Sequence, residues 1–282
     1  MKVAYTGWTW IRNPNDASKS KDEYKFEFEQ FLKEISYLGY DTIENFAFIT
    51  NYFDWDADEV AGLLKKYNLH MANLYHHYRG TDAASDEEDY HKGVRYLDFM
   101  KKIGATHMNL QAVMWREGEN DRPTDKERIL HYAELSNRLG RDCKEKGIIP
   151  CFHPHANTHI YREDEIDLFL ENTDPELVWL CLDTAHTVLA GMDPVAACKK
   201  YAKRMGYIHL KDVDPDMNLH PEWPMFRFRP LGFGTVDFRG VYEALKNGGY
   251  DGVLCVELDK QPVCNFHSAM VARQYLQNVI GL

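Results

Sequence analysis

Four segments end an apolar run on residues able to bind a metal or move a proton. They are Cys151-Phe152-His153-Pro154-His155, Cys181-Leu182-Asp183-Thr184-Ala185-His186, Ile208-His209-Leu210-Lys211-Asp212 and Val256-Glu257-Leu258-Asp259. His155 and Asp183 lie 28 positions apart, Asp183 and His209 26, and His209 and Glu257 48. The first two spacings are one strand-plus-helix unit each, and the third is one unit plus a long connection. His155, Asp183, His209 and Glu257 are therefore expected to converge as ligands of one metal. Two imidazoles and two carboxylates are a borderline donor set. It suits Mn²⁺, Co²⁺, Fe²⁺, Zn²⁺ or Ni²⁺, with Mg²⁺ admissible, better than a purely hard ion such as Ca²⁺.

Residues two apart on an extended strand share a side. His153 therefore accompanies His155, and Lys211 accompanies His209. His153, His186, Lys211 and Glu257 become candidates for proton transfer beside the metal, histidine being the side chain most easily tuned near neutral pH. Plainer roles stand beside these: Asp183 as a helix N-cap, Lys211 as a salt-bridge partner of Asp212. Earlier segments supply candidate substrate contacts in Trp8, Glu44, His77, Gln111 and Trp115, with Trp10, Tyr75 and His76 near them. Pockets for small molecules are mostly apolar with a few placed polar groups.

The elements that must position these residues alternate along the chain. Short apolar runs are expected as strands at 3–7, 41–46, 69–74, 106–110, 148–153, 177–182, 206–210 and 252–256. Amphipathic runs are expected as helices at 25–38, 57–67, 86–103, 125–146, 163–171, 194–203, 238–246 and 268–280. Apolar residues Phe28, Phe31, Leu32, Ile35 and Leu38 show the helical period in the first. Eight such units in roughly 250 residues predict a closed (β/α)8 barrel spanning 1–282. The alternative, an open doubly wound sheet binding a dinucleotide, normally carries a Gly-rich first turn. Here that turn reads Gly7-Trp8-Thr9-Trp10. The connection at about 212–236 is long and rich in aromatic residues and proline, as a lid or a packed insertion would be.

Composition bounds the rest. The chain has 282 residues, 44% hydrophobic, and a formal net charge of −11. That charge argues against nucleic acid as a partner. No run approaches the ~20 apolar residues of a membrane span, and the N-terminus shows no secretory signal pattern. The six cysteines are scattered without CxxC and read as reduced and structural, which fits a cytoplasmic location.

Together the segments Leu182–His186, Ile208–Asp212, Gly232–Phe238, Gly249–Gly252 and Val256–Asp259 resemble the xylose isomerase-like barrel superfamily of sugar phosphate isomerases and epimerases. The resemblance covers essentially the whole chain. It implies a divalent metal, often manganese, held by Asp183, His209 and Glu257, a small sugar or polyol substrate, and frequent homo-oligomers. Ketose 3-epimerases of this group carry a glutamate on strand five, and His153-Pro154-His155 stands there instead. That run is more similar to inosose dehydratases and the related lyases of 3-keto-glucosides. The expected chemistry is thus α-proton abstraction next to a ketone followed by β-elimination. His153 or Glu257 would serve as base and His186 as acid. An epimerase or aldose–ketose isomerase, and a non-catalytic sugar-binding barrel, are the alternatives.

Overall fold

The computed structural model describes residues 1–11, 18–79, 83–112, 123–216, 218–219, 224–260 and 262–282. Eight parallel strands close into a barrel: Lys2–Thr6, Thr42–Phe46, His70–Tyr78, His107–Ala112, Ile149–Phe152, Trp179–Asp183, Met205–Leu210 and Val253–Val256. Closure comes from the first and last strands, with Lys2 opposite Val253 and Tyr5 opposite Val256. Helices between the strands cover the outside, which is why the strands read as nearly continuous apolar runs: both faces of the sheet are buried. Among the described residues no helix is long and apolar enough to cross a membrane.

Local chemistry sets the boundaries. The first long helix, Lys21–Tyr37, starts earlier than its apolar period suggests. Ser20 accepts from the Glu23 amide at 3.3 Å, while Glu23 takes the Ser20 amide at 2.7 Å. This reciprocal capping satisfies donors that would otherwise be left bare. The third strand runs on to Tyr78, so Tyr75, His76 and His77 lie within it rather than after it. A short helix, Thr184–Leu189, follows the sixth strand at once and was not anticipated. The last helix, Asn265–Tyr275, begins earlier than expected, and the chain continues as a wider turn over Leu276–Ile280.

Inside the barrel, Ala4, Ala72, Cys151, Cys181, Tyr207, Val253 and Cys255 form one packed layer. All six cysteines are unpaired, and only Cys264 is exposed. The next inward-facing positions on these same strands are two residues further on. On strands five to eight they are His153, Asp183, His209 and Glu257. Each of these four thus follows a residue of the packed layer by two positions, and His155 lies two residues beyond His153.

The connection after the seventh strand is tied to the barrel by one carboxylate. Asp212–Val213 pairs antiparallel with Phe228–Arg229. The buried Asp212 carboxylate accepts from the backbone amides of Val213 at 3.0 Å, Gly232 at 2.9 Å, Gly234 at 2.8 Å and Val236 at 3.0 Å. Gly234 is required by close approach, since a Cβ there would lie 2.3 Å from both Asp212 Oδ1 and the Val213 carbonyl oxygen. Lys211 therefore has no need to neutralise Asp212, whose charge the backbone already satisfies. From this connection Met225, Phe228, Leu231 and Val236 pack into the core.

Replacing Asp212 with Ala strands these amides and should destabilise the protein by about 2–4 kcal/mol. Urea unfolding measures the loss. Amide hydrogen exchange should rise at Gly232, Gly234 and Val236 ahead of the barrel strands, and uniform exchange throughout would contradict a local anchoring role.

Candidate active site

Asp183 ends the sixth strand and caps the short helix that follows. Its Oδ1 accepts from the amides of Ala185 at 2.8 Å and His186 at 2.9 Å. The capping reading is therefore correct for one oxygen only, because Oδ2 is buried and has no hydrogen bond. It shares that condition with His209 Nδ1 and Glu257 Oε2. One ligand atom from each of these three residues can be chosen so that all lie within 4.8 Å of one another. His209 Nδ1 stands 2.8 Å from Glu257 Oε2 and 4.0 Å from Asp183 Oδ2. Two lone pairs at the shorter distance repel unless a cation lies with them. That cation is either a proton on the imidazole or a metal ion. The donor set and the orphaned atoms fit a divalent metal.

The other ring nitrogen of His209 is fixed from below. Glu44 Oε2 accepts from His209 Nε2 at 2.9 Å, from Asn73 Nδ2 at 2.6 Å and from Asn109 Nδ2 at 3.2 Å. Glu44 is fully buried. Expected as a substrate contact, it instead orients His209 so that Nδ1 faces the two carboxylates, the arrangement metal-ligating histidines commonly have. Asn73 and Asn109 were not singled out in the sequence. Their position in line with the inward-facing Tyr75 and Gln111 was the available signal.

Lys211 is also fully buried. Its Nζ lies 3.4 Å from Asp183 Oδ2, 3.2 Å from Glu257 Oε2 and 3.1 Å from Asp259 Oδ1. Burial opposes its charge, but Asp183, Asp259 and Glu257 outweigh that and hold the ammonium firmly protonated. Burial likewise opposes ionisation of Glu257, yet Lys211 and His209 keep its carboxyl well below the usual range. Asp183 goes the other way: burial lifts it to about 6, with Glu257 adding to the rise and Lys211 resisting it. Burial would lower His209, but Cys181, Glu44 and Glu257 raise it well above its usual value.

The remaining imidazoles gather beside this cluster. His153, His155 and His186 can bring one nitrogen each within 4.8 Å of the others. The expected four-ligand set is therefore divided. Asp183, His209 and Glu257 converge, while His155 groups with His153 and His186. His153 links the two groups, since its ring lies 4.9 Å from that of His209 and 5.5 Å from that of His155. Burial, first of all, keeps all three of these imidazoles neutral, with His155 pushed down to about 3.

A cleft of about 230 Å³ opens above the cluster, lined in part by Trp8, Phe46, Tyr75, His77, Gln111 and His155. Met225, Phe226, Glu257, Asp259 and Lys260 complete it. Trp8, His77 and Gln111 thus stand where a substrate would meet them. Tyr75 donates to Gln111 Oε1 at 2.6 Å, which sets the amide's direction. Trp115 lies outside the described residues. Phe46 was missed, although it follows Glu44 by two on the same strand. Met225 and Phe226 come from the long connection, whose contribution to the wall no local pattern indicates.

Residues 32–276 match the family described as xylose isomerase-like TIM barrel. An inosose dehydratase of Geobacillus thermodenitrificans strain NG80-2 is 38% identical over 301 residues, covering all of this chain and 97% of the relative. Among solved structures, the IOLI protein with a bound zinc atom superposes with a TM-score of 0.77 at 18% identity, over 99% of this chain and 98% of that one. An L-ribulose 3-epimerase superposes with a TM-score of 0.76 at 17% identity, over 99% and 94% respectively. Identities this low carry the fold alone.

The charge pattern generates a test on the metal-free protein. Replacing Lys211 with Met removes a buried partner of three carboxylates and should cost about 3–5 kcal/mol at neutral pH. Asp183 titrates near 6 in the folded chain against 3.8 for the ordinary group, so the native state holds the extra proton and loses stability as pH rises through that window. Without Lys211 that loss should grow. Denaturation of both proteins at about pH 5 and pH 7 should show the larger deficit at the higher pH; equal deficits would mean that Lys211 does not neutralise this cluster.

Proposed function

Because the chain belongs to the xylose isomerase-like TIM barrel family, we propose that it is a divalent-metal-dependent dehydratase of a keto-inositol or a similar keto-sugar. The observation that carries this reading is the set of three buried, orphaned ligand atoms of Asp183, His209 and Glu257 at the barrel mouth. The inosose dehydratase name of a relative matched along its whole length supports the substrate class. The zinc atom bound by the IOLI protein, a neighbour of the same fold, supports a divalent metal, and manganese is equally compatible with this donor set.

Asp183, His209 and Glu257 would hold the ion. His153 is the fourth ligand in this reading, because its ring lies 4.9 Å from that of His209 and the two can offer ligand atoms within 4.8 Å of one another. His155, the residue that spacing favoured, moves to the cleft wall. When bound, the ion supplies Lewis acidity toward the carbonyl and neighbouring hydroxyl of a ketone. The protein's own groups do the rest. Glu257, kept ionised by Lys211 and His209, faces the cleft and takes the proton from the carbon next to the ketone. His186 offers a hydrogen bond to the departing oxygen. Trp8, Phe46 and Tyr75 provide apolar faces for the C–H surfaces of a ring polyol. Epimerisation would call for a second base on the opposite face, and strand five offers an imidazole there rather than a carboxylate.

Chelated protein given a keto-inositol should form no α,β-unsaturated ketone by absorbance, and restored Mn²⁺ or Zn²⁺ should bring it back; undiminished turnover without metal would end the proposal. Solvent deuterium entering the α carbon without loss of water would instead identify an epimerase. Calorimetry with Zn²⁺ should show affinity lost in His153→Ala and largely kept in His155→Ala, and the reverse pattern would return the ligand role to His155. Protons on Asp183 and His209 must leave before a cation binds, and His209 holds its proton well above the usual histidine range, so Zn²⁺ affinity should already fall as pH drops through neutrality and fall further below about 6.

A further inference from the structure

The turn after the fifth strand touches two histidines through a single residue. His155 Nδ1 lies 2.7 Å from the carbonyl oxygen of Ala156, and the Ala156 amide points to His186 Nδ1 at 3.3 Å. A carbonyl oxygen only accepts and a backbone amide only donates. The His155 nitrogen in that contact must therefore carry its hydrogen, and the His186 nitrogen must carry its lone pair. A neutral imidazole has one of each. His155 is then left with a lone pair on Nε2, and His186 with an N–H on Nε2.

We infer that the peptide groups of Ala156 hold His155 and His186 in opposite tautomers, making Ala156 a positioning residue that presents an acceptor nitrogen beside a donor nitrogen to one hydroxyl of the substrate. The two rings lie 3.8 Å apart, close enough to serve the same oxygen. His155 lines the cleft. His186 Nε2 is buried and has no hydrogen-bond partner among the described residues, which leaves it available to an acceptor on the substrate. Phe228 stands edge-on to His186 at 5.0 Å and limits where the ring can turn. A hydroxyl both donates and accepts, so it satisfies the pair, whereas an ether oxygen satisfies only His186. The same assignment argues against a second metal site on the three clustered imidazoles, because the free nitrogen of His186 carries a hydrogen. The link to a substrate hydroxyl rests on the dehydratase reading; the tautomers do not.

The turn permits a narrow test. His155–Thr158 is closed by the Thr158 amide donating to the His155 carbonyl at 3.2 Å. Its second central residue, Asn157, has φ of 62°, while Ala156 is not among the positive-φ residues. This is the pattern of a type II turn, whose first central position accepts proline. Ala156→Pro therefore deletes the amide hydrogen and keeps the carbonyl.

Nitrogen NMR of ¹⁵N-histidine-labelled protein distinguishes protonated from bare ring nitrogens, with His155→Gln and His186→Gln assigning the signals. The wild-type protein should show hydrogen on Nδ1 of His155 and on Nε2 of His186. In Ala156→Pro, His186 should relax to a mixture while His155 keeps its tautomer, and Zn²⁺ affinity should stay unchanged. Turnover of a keto-inositol should fall about ten-fold in kcat with little change in KM. Hydrogen on Nδ1 of His186 in the wild type, or the same tautomer on both rings, would overturn the inference, and that spectrum decides even if the proline variant fails to fold. No turnover by the wild type with either metal would remove the dehydratase reading and leave the tautomer assignment to stand on the spectrum.

Discussion

The site depends on burying Glu44, Asp183 and Glu257 at the centre of a barrel, with Asp259 at their edge. Isolated buried carboxylates are too costly to retain, so each must be paired or bound. Asp183 spends one oxygen on a helix N-terminus and Glu44 is held by two asparagine amides and His209. Lys211 reaches across to Asp183, Glu257 and Asp259. Between them lies a small volume bounded by one oxygen of Asp183, one of Glu257 and one nitrogen of His209, none of which has a hydrogen bond. Such a donor set fits a divalent cation.

The layer beneath makes that geometry possible. Small side chains, including Cys151, Cys181 and Cys255, fill the barrel just below the ligands. His153, Asp183, His209 and Glu257 each follow one residue of this layer by two positions. The cysteines matter here as compact apolar filler, since burial pushes the thiols of Cys151, Cys181 and Cys255 upward and away from reactive thiolates. Above the ligands, Asp212 ties down the connection that brings Met225 and Phe226 to the cleft. Rigid support below and a tethered wall above leave the cleft itself as the open part of the barrel end.

Histidine chemistry in this barrel is decided by what the backbone and second carboxylates allow each ring to do. Glu44 turns one nitrogen of His209 toward the other ligands. The carbonyl oxygen of Cys181 lies 3.2 Å from His153 Nδ1, so that nitrogen carries the hydrogen and leaves Nε2 as the lone pair. Similar-looking histidines thus differ in which ring nitrogen is left free, without any difference in residue type.

The barrel was legible in the sequence because alternating apolar and amphipathic runs leave few other ways to bury eight parallel strands. Asp183, His209 and Glu257 were legible too, since equal spacing on successive units places side chains at equal heights. Spacing pointed to His155, but a step of two residues within one strand is finer than spacing resolves, and it is the His153 ring that lies against His209. Nor does spacing show what a side chain touches across the barrel. Glu44 looked like a substrate contact and Lys211 like a proton-transfer candidate or a salt-bridge partner of Asp212; the fold sets Glu44 against His209 and Lys211 against Asp183, Glu257 and Asp259. Those roles depend on contacts between strands far apart in the chain, such as Glu44 with His209, and only closure of the barrel brings them into being.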